Sequence, residues 1–373
     1  MATIKYSMKT LPMKIVVVIG ARPQFIKAAV VSRALREHCA DACEVLIHTG
    51  QHFDANMSEV FFDELEIPRP DYHLGIGGGT HGQNTGRMIE AIETVLLAER
   101  PDWVLVYGDT DSTLAGALAA VKLNVPIAHV EAGLRSFNRH MPEEINRILT
   151  DHAANLLFTP TATAVLNLRA EGIADERIRP VGDVMYDASR YYAMKAEQGS
   201  VILDRLHLTH GGYVLATVHR AGNTDDPERL DAIMRGLMLA ARERPVVLPL
   251  HPRTRAALLR ADLFQQVAHT LLLCDPLGYL DMVMLEKHAA VIASDSGGVQ
   301  KEAFFHRVPC AVLREETEWV ELVESHAAVL AGTTPQAIYE AIVWGLDASD
   351  LGMALFFGSG DAGPKIAEIL CGV

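Results

Sequence analysis

Between Gly108 and His152 the chain sets acids and arginines where a solvated surface has little use for them. The stretch reads GDTDSTLAGALAA and then HVEAGLRSFNRHMPEEINRILTDH, behind two apolar β-like runs, VLVYG and PIAHV. Asp109 stands at a strand end, Glu131 at a strand-to-loop junction, and Glu143 and Glu144 at a helix start. Arg135, Arg139 and Arg147 lie among them. Carboxylates interleaved with arginines suit an anionic substrate that must gain and lose a proton. Taken singly, Glu143 is equally explained as a helix-start acid after Pro142, where the dipole favours negative charge.

Other stretches could meet phosphate. GARPQFIKA (20–28) leaves a strand and enters a helix, setting Arg22 and Lys27 where a helix N-terminus faces an anion. It is not GxGxxG, which counts against a nicotinamide dinucleotide, and an ordinary turn with surface cations explains it as well. ASDSGGVQKEA (293–303) is sharper. Ser296, Gly297 and Gly298 open a helix after a strand, so bare N–H groups can cradle a diphosphate. Glu302, one turn on, can accept from a ribose diol. A small-residue helix cap explains Ser-Gly-Gly but not the acid behind it. His219 and Arg220 end the run ATVHR, where a histidine could hydrogen-bond a leaving phosphate. His251 has the same ambiguity, and His129 reads as structural.

These residues need strand ends to hold them. KIVVVIG (14–20), EVLIHTG (44–50), WVLVYGD (103–109), PIAHVEAG (126–133) and LLFTPT read as buried parallel strands with amphipathic helices between them. YVLATVHR (213–220), PVVLPLHPRTR (245–255), HTLLLCD (269–275), AAVIASDSGG (289–298) and PCAVLRE (309–315) form a second series. The alternation predicts two Rossmann-type, doubly wound α/β domains whose strand C-termini carry the site and face a central cleft. The expected division is 1–185, 186–354, and a helix over 355–373 returning to the first domain.

Composition narrows the function. The 373 residues suffice for two cores. With 33 basic against 47 acidic residues the formal charge is −14, which disfavours nonspecific binding to nucleic acid or an anionic membrane. No apolar run approaches the roughly 18 residues of a membrane span. MATIKYSMKTLPMK has no signal-peptide apolar core and reads as a short tail. Five cysteines (Cys39, Cys43, Cys274, Cys310, Cys371) lack metal-ligand spacing. They read as scattered free thiols of a cytoplasmic protein, against a metal or redox pair at Cys39 and Cys43.

Together the motifs GARPQFIKA, GDTDSTLAGALAA, HVEAGLR, PEEINRILTDH, SDSGGVQKEA and GSGDAGPKIAEIL resemble the non-hydrolysing UDP-N-acetylglucosamine 2-epimerase family, in family order from about Lys14 onward. The resemblance implies a GT-B-like pair of Rossmann-type domains, a UDP-sugar substrate, no cofactor or metal, and a homodimer. It implies that Arg22, Lys27, Asp109, Glu131 and Arg147 hold or act on the sugar diphosphate, with Glu143 completing the acids. His219, Ser296, Gly297, Gly298 and Glu302 would hold the UDP. As catalytic residues it nominates Asp109, Glu131, Glu143 and His219.

Three departures from the common pattern stand out. Gln51-His52-Phe53 replaces QHR in a loop that in some relatives binds a second, activating UDP-sugar. Trp319 replaces a binding arginine, and Leu277 and Met282 replace a glutamine and a phenylalanine near uracil. With the FNRHMPEEINR and TEWVELV stretches they resemble the branch acting on UDP-2,3-diacetamido-2,3-dideoxy-glucuronate, which makes the manno epimer for bacterial surface polysaccharide; Arg139 would suit the uronate. Other readings are UDP-N-acetylglucosamine epimerisation to UDP-N-acetylmannosamine, a hydrolysing epimerase, a GT-B glycosyltransferase, and a UDP-sugar-binding protein with a dead site. The three acids favour epimerisation over the last two.

Overall fold

The computed structural model describes residues 12–51, 66, 69–348 and 356–372, apart from the side chain of Arg22. The segment before Lys14 and the His52-Phe53 loop therefore lie largely outside the described residues. The chain divides into two compact units, residues 1–184 with 361–373, and 185–360.

The first unit is built on seven strands: β1 (Lys14–Ile19), β2 (Cys43–His48), β3 (Tyr72–His73), β4 (Trp103–Tyr107), β5 (Ile127–Val130), β6 (Leu156–Thr159) and β7 (Ile178–Pro180). They hydrogen-bond in the order β3-β2-β1-β4-β5-β6-β7, all parallel. Ile15–Ile19 are wholly buried, as a parallel strand covered on both faces requires. The second unit has β8 (Val214–Thr217), β9 (Val246–Pro249), β10 (Leu272–Cys274), β11 (Val291–Ser294), β12 (Cys310–Val312) and β13 (Ala328–Leu330). Their order is β10-β9-β8-β11-β12-β13, again all parallel.

Both orders are Rossmann-type. Each reverses direction once, between β1 and β4 in one sheet and between β8 and β11 in the other. Crossovers there leave in opposite directions, so a crevice opens at the strand C-termini. The motifs singled out in the sequence sit at these two points: Gly20–Ala21 and Gly108–Asp109 follow β1 and β4, while His219–Arg220 and Asp295–Gly298 follow β8 and β11.

β3, β7 and β13 have no counterpart among the apolar runs. They are two or three residues long and lie at sheet edges. The cysteine reading is also corrected. Cys39, at the end of the helix Arg22–His38, is disulfide-bonded to Cys371, the last residue of the helix Ala362–Cys371. Only Cys43, Cys274 and Cys310 are free. Among the described residues no helix is long and apolar enough to cross a membrane.

Candidate active site

In the first unit, Gln24 sets the turn that follows β1. This buried side chain accepts from the Gly20 and Ala21 N–H groups at 2.8 and 3.0 Å. Its amide donates to the Tyr107 carbonyl (2.8 Å) and to the Thr113 hydroxyl (2.9 Å). One amide thus ties the end of β1 to the end of β4. Arg22 occupies the first helical position beyond it.

Lys27, a turn and a half along that helix, forms a buried ion pair with Glu131 Oε2. Gly108 lies against this pair. A Cβ there would stand 3.1 Å from Lys27 Nζ and 3.2 Å from Glu131 Oε2, and its φ of +63° already favours glycine. Glu131 has a φ of +70°, a left-handed conformation that costs a side-chain-bearing residue about 1–2 kcal/mol. It is held there by neighbours: the Glu131 and Ala132 N–H groups both donate to the Phe158 carbonyl at 3.1 Å. Such local strain at a strand end is a mark of functional positions.

Asp109, the residue after Gly108, is gripped by the helix Pro142–Ala153. Arg147 Nη2 donates to Asp109 Oδ2 at 2.6 Å, and Asn146 Nδ2 donates to the Asp109 carbonyl at 2.9 Å. Arg147 Nη1 reaches Glu144 Oε2 at 2.9 Å. Glu144 also accepts from Ser136 N–H (2.9 Å), Ser136 Oγ (3.0 Å) and Phe137 N–H (2.9 Å), so it folds the loop before its own helix. Burial alone would raise the Glu144 carboxyl, but these donors outweigh it and hold it below the usual carboxylate range. Glu143 is half-exposed in the first helical turn. The structure thus pairs Lys27 with Glu131 and Arg147 with Asp109, and joins Glu143 to neither pair.

Beneath this surface lies a network absent from the sequence reading. His129 Nδ1 meets Asp151 Oδ1 at 2.7 Å, and His129 Nε2 meets the Gly108 carbonyl at 2.7 Å. Asp151 Oδ2 accepts from the Gly133 N–H (3.1 Å) and from Arg135 (2.8 Å), which forks onto Glu171 at 2.6 and 2.7 Å. Burial works to raise the Asp151 carboxyl, yet His129 and Arg135 hold it below the ordinary value. Arg135, placed among the substrate-facing arginines by sequence, is instead internal.

In the second unit the organiser is Asp295, wholly buried. It accepts from the N–H groups of His219 (3.0 Å) and Arg220 (3.0 Å) and from Asn223 Nδ2 (3.0 Å). His219 Nδ1 lies 3.5 Å from Asp295 Oδ1. The helix Gly297–Phe305 begins immediately afterwards, with Ser296 as its cap residue making no side-chain capping bond. The N–H groups of its first turn therefore keep their donor capacity for a ligand. Gly297 is closely approached: a Cβ would meet Glu318 Oε1 at 2.2 Å and Trp319 Nε1 at 3.3 Å. Glu318 is held by Arg314 at 2.9 Å. Glu302 lies buried, accepting from the Tyr279 hydroxyl at 2.8 Å. Burial first, then Glu302, push the Tyr279 phenol well above its ordinary value. Trp319 is buried, with the Lys301 ammonium 4.1 Å from its ring centroid and Phe357 edge-on at 5.8 Å. His251 caps the helix Pro252–Arg260, its Nδ1 accepting from Arg253 N–H at 3.1 Å.

Two Rossmann-type units, one with caged acids and one with an open helix N-terminus at its switch point, define an α/β protein suited to a nucleotide-linked anion. Comparison with known proteins makes the class specific. Residues 33–371 match the family of UDP-N-acetylglucosamine 2-epimerases. The chain is 52% identical to the UDP-2,3-diacetamido-2,3-dideoxy-D-glucuronate 2-epimerase of Pseudomonas aeruginosa, over 96% of this chain and 99% of that one. It is equally 52% identical to a UDP-N-acetylglucosamine 2-epimerase homolog of Methanococcus maripaludis, with the same coverage. The crystal structure of Methanocaldococcus jannaschii UDP-GlcNAc 2-epimerase with UDP-GlcNAc and UDP is 42% identical. It matches with a TM-score of 0.90 over 97% of this chain and 100% of its own. The chain belongs to the UDP-N-acetylglucosamine 2-epimerase family, an isomerase family with a GT-B-like fold, as its motifs implied.

Proposed function

We propose that the chain inverts C2 of a UDP-2-acetamido sugar, with UDP-2,3-diacetamido-2,3-dideoxy-glucuronate as the preferred substrate and the manno epimer as product. The C2–H of such a sugar is not acidic, because no carbonyl lies alpha to it. Stretching the C1–O bond to UDP gives C1 oxocarbenium character, which acidifies C2–H. A carboxylate removes the proton as UDP departs, leaving a glycal. Return of a proton to the opposite face and re-addition of UDP inverts the centre. Atoms balance without a redox cofactor.

The chemistry asks for acids held at fixed points beside cations. The observation that carries the reading is the pair of anchored acids after adjacent strands β4 and β5, Asp109 on Arg147 and Glu131 on Lys27. We assign proton transfer to Asp109, Glu131 and Glu143. Arg22 and Lys27 would stabilise the departing diphosphate electrostatically, with Arg147 helping through its hold on Asp109. In the second unit Ser296, Gly297 and Gly298 would cradle the diphosphate, His219 Nε2 would meet its phosphate, and Glu302 the ribose. The substrate is favoured by the 52% identity to the Pseudomonas enzyme together with the TEWVELV and FNRHMPEEINR stretches. The same reading makes the protein a cytoplasmic homodimer of surface-polysaccharide synthesis.

The test is incubation with UDP-2,3-diacetamido-2,3-dideoxy-glucuronate in D₂O, followed by proton NMR, with UDP-N-acetylglucosamine in parallel. Deuterium at C2 and a manno-configured product are expected, faster with the uronate. A faster reaction of UDP-N-acetylglucosamine would overturn the substrate assignment. Absence of exchange in both tubes, with UDP still bound, would overturn the epimerase reading.

A further inference from the structure

We propose that His129 and Asp151, which touch no substrate in this scheme, position both acids at once. The inference rests on the proton-transfer assignment of Asp109 and Glu131. His129 is the third residue of β5 and Asp151 lies near the end of the helix Pro142–Ala153; both are wholly buried. Asp151 holds the residues on either side of Glu131: His129 two before it through Oδ1, Gly133 two after it through Oδ2. His129 then carries the constraint across the sheet to the Gly108 carbonyl on β4's exit turn. That carbonyl belongs to the peptide unit whose N–H is Asp109's own.

The arrangement answers two needs created by the backbone. Glu131 sits in a left-handed conformation and Gly108 in a glycine-favoured one, and neither is self-stabilising. A wholly buried carboxylate is costly unless fully hydrogen-bonded. Asp151 has three partners, His129, the Gly133 N–H and Arg135, and Arg135 links it on to Glu171. The rigidity this supplies is felt at Gly108 and Glu131, where the acids diverge from the sheet. Displacement of a reacting group by about 1 Å costs on the order of 10²-fold in rate.

His129 has two separable bonds, so the proposal can be tested by splitting them. His129→Gln retains a donor at the distance of Nε2, toward Gly108, and gives up the bond to Asp151. His129→Asn retains a donor at the position of Nδ1, toward Asp151, and gives up Gly108. We expect His129→Asn to lose about 10²-fold in kcat, with KM and UDP affinity within about twofold of wild type. His129→Gln should keep kcat within about tenfold of wild type. A network that merely supports the fold would lower stability in both variants without this split. Equal loss in the two, or undiminished turnover in His129→Asn, overturns the proposal. If neither variant folds, Asp151→Asn decides. Its remaining oxygen still accepts from Gly133 N–H and Arg135, and kcat should fall about tenfold or more at unchanged UDP affinity; an unchanged kcat overturns the proposal. Wild-type enzyme that exchanges no C2 proton would sink the function itself and is scored separately.

Discussion

Replacing Arg147 by Met removes a charge shared by two carboxylates while keeping an apolar stem of similar length. The guanidinium bonds Asp109 Oδ2 at 2.6 Å and Glu144 Oε2 at 2.9 Å, and its side chain is 5% exposed. Removing one partner from a fully buried ion pair costs about 3–5 kcal/mol. Two features lower the figure here. Glu144, though only 1% exposed, keeps three other donors from Ser136 and Phe137. Asp109 is 30% exposed, and water takes up part of its charge. One charged hydrogen bond at about 1.5–3 kcal/mol, with a smaller contribution from the partly exposed pair, gives a loss of about 2–3 kcal/mol at pH 7. For a unit of this size that lowers the melting temperature by about 5–10 °C.

The pH dependence supplies an independent check. The folded Glu144 carboxyl is depressed, so its contribution to stability is present above the unfolded value of about 4.3 and is lost as pH falls through the folded value. Arg147 is among the causes of that depression. The gap between wild type and Arg147→Met should therefore be full at neutral pH and narrow below about pH 4. Thermal melts at a series of pH values, with hydrogen exchange to confirm opening of the helix Pro142–Ala153, would measure it. Turnover should fall as well, because Asp109 loses its anchor, with UDP affinity retained. A melt within a degree of wild type at neutral pH, or a gap that widens on acidification, would refute the reasoning.

Two further outcomes follow from the same geometry. Gly297→Ala brings a methyl within 2.2 Å of Glu318 Oε1. The carboxylate is the far end of a flexible side chain and can shift, so stability should change by less than about 1 kcal/mol, while UDP affinity by calorimetry falls about tenfold or more; undiminished affinity would remove Gly297 from the diphosphate cradle. The Cys39–Cys371 bond should appear in non-reducing peptide maps, and reduction or Cys39→Ser should cost about 2–4 kcal/mol by fastening the C-terminal helix less firmly. Identical melts with and without reductant would argue that the staple contributes nothing.

The sequence exposed the strands that are buried on both faces. KIVVVI and VIAS are continuous apolar runs rich in β-branched residues, a composition parallel sheets demand. Tyr72–His73 and Ala328–Leu330 escaped because an edge strand of two or three residues has no room for a pattern. The strand-end acids were legible because charge directly after an apolar run is conspicuous. The roles of Asp151, Asp295, Gln24 and Tyr279 were not, because each has partners far away in the chain. Asp151 meets His129 across 22 residues and Asp295 meets His219 across 76, separations that only the sheet order closes. The pairing of Cys39 with Cys371, 332 residues apart, is of the same kind: it depends on the last helix returning to the first unit.

Asp151 and Asp295 suggest a common design in two differently equipped units. Each is a wholly buried aspartate serving the turn beyond a strand that borders or neighbours the switch point. Asp295 gathers the N–H groups of His219 and Arg220 and the Asn223 amide. Asp151 gathers the Gly133 N–H, His129 and Arg135. A loop at a strand C-terminus has no ladder partner for its N–H groups, and leaving them unpaired in the interior costs about 1–3 kcal/mol each. A fixed carboxylate satisfies several at once and, being acceptor-only, dictates which way the turn runs. The residues to which we assign the chemistry stand next to these turns: Glu131 and Asp109 near one aspartate, His219 and the helix start at Gly297 beside the other. On this account the interior aspartates determine where the proposed reactive groups stand.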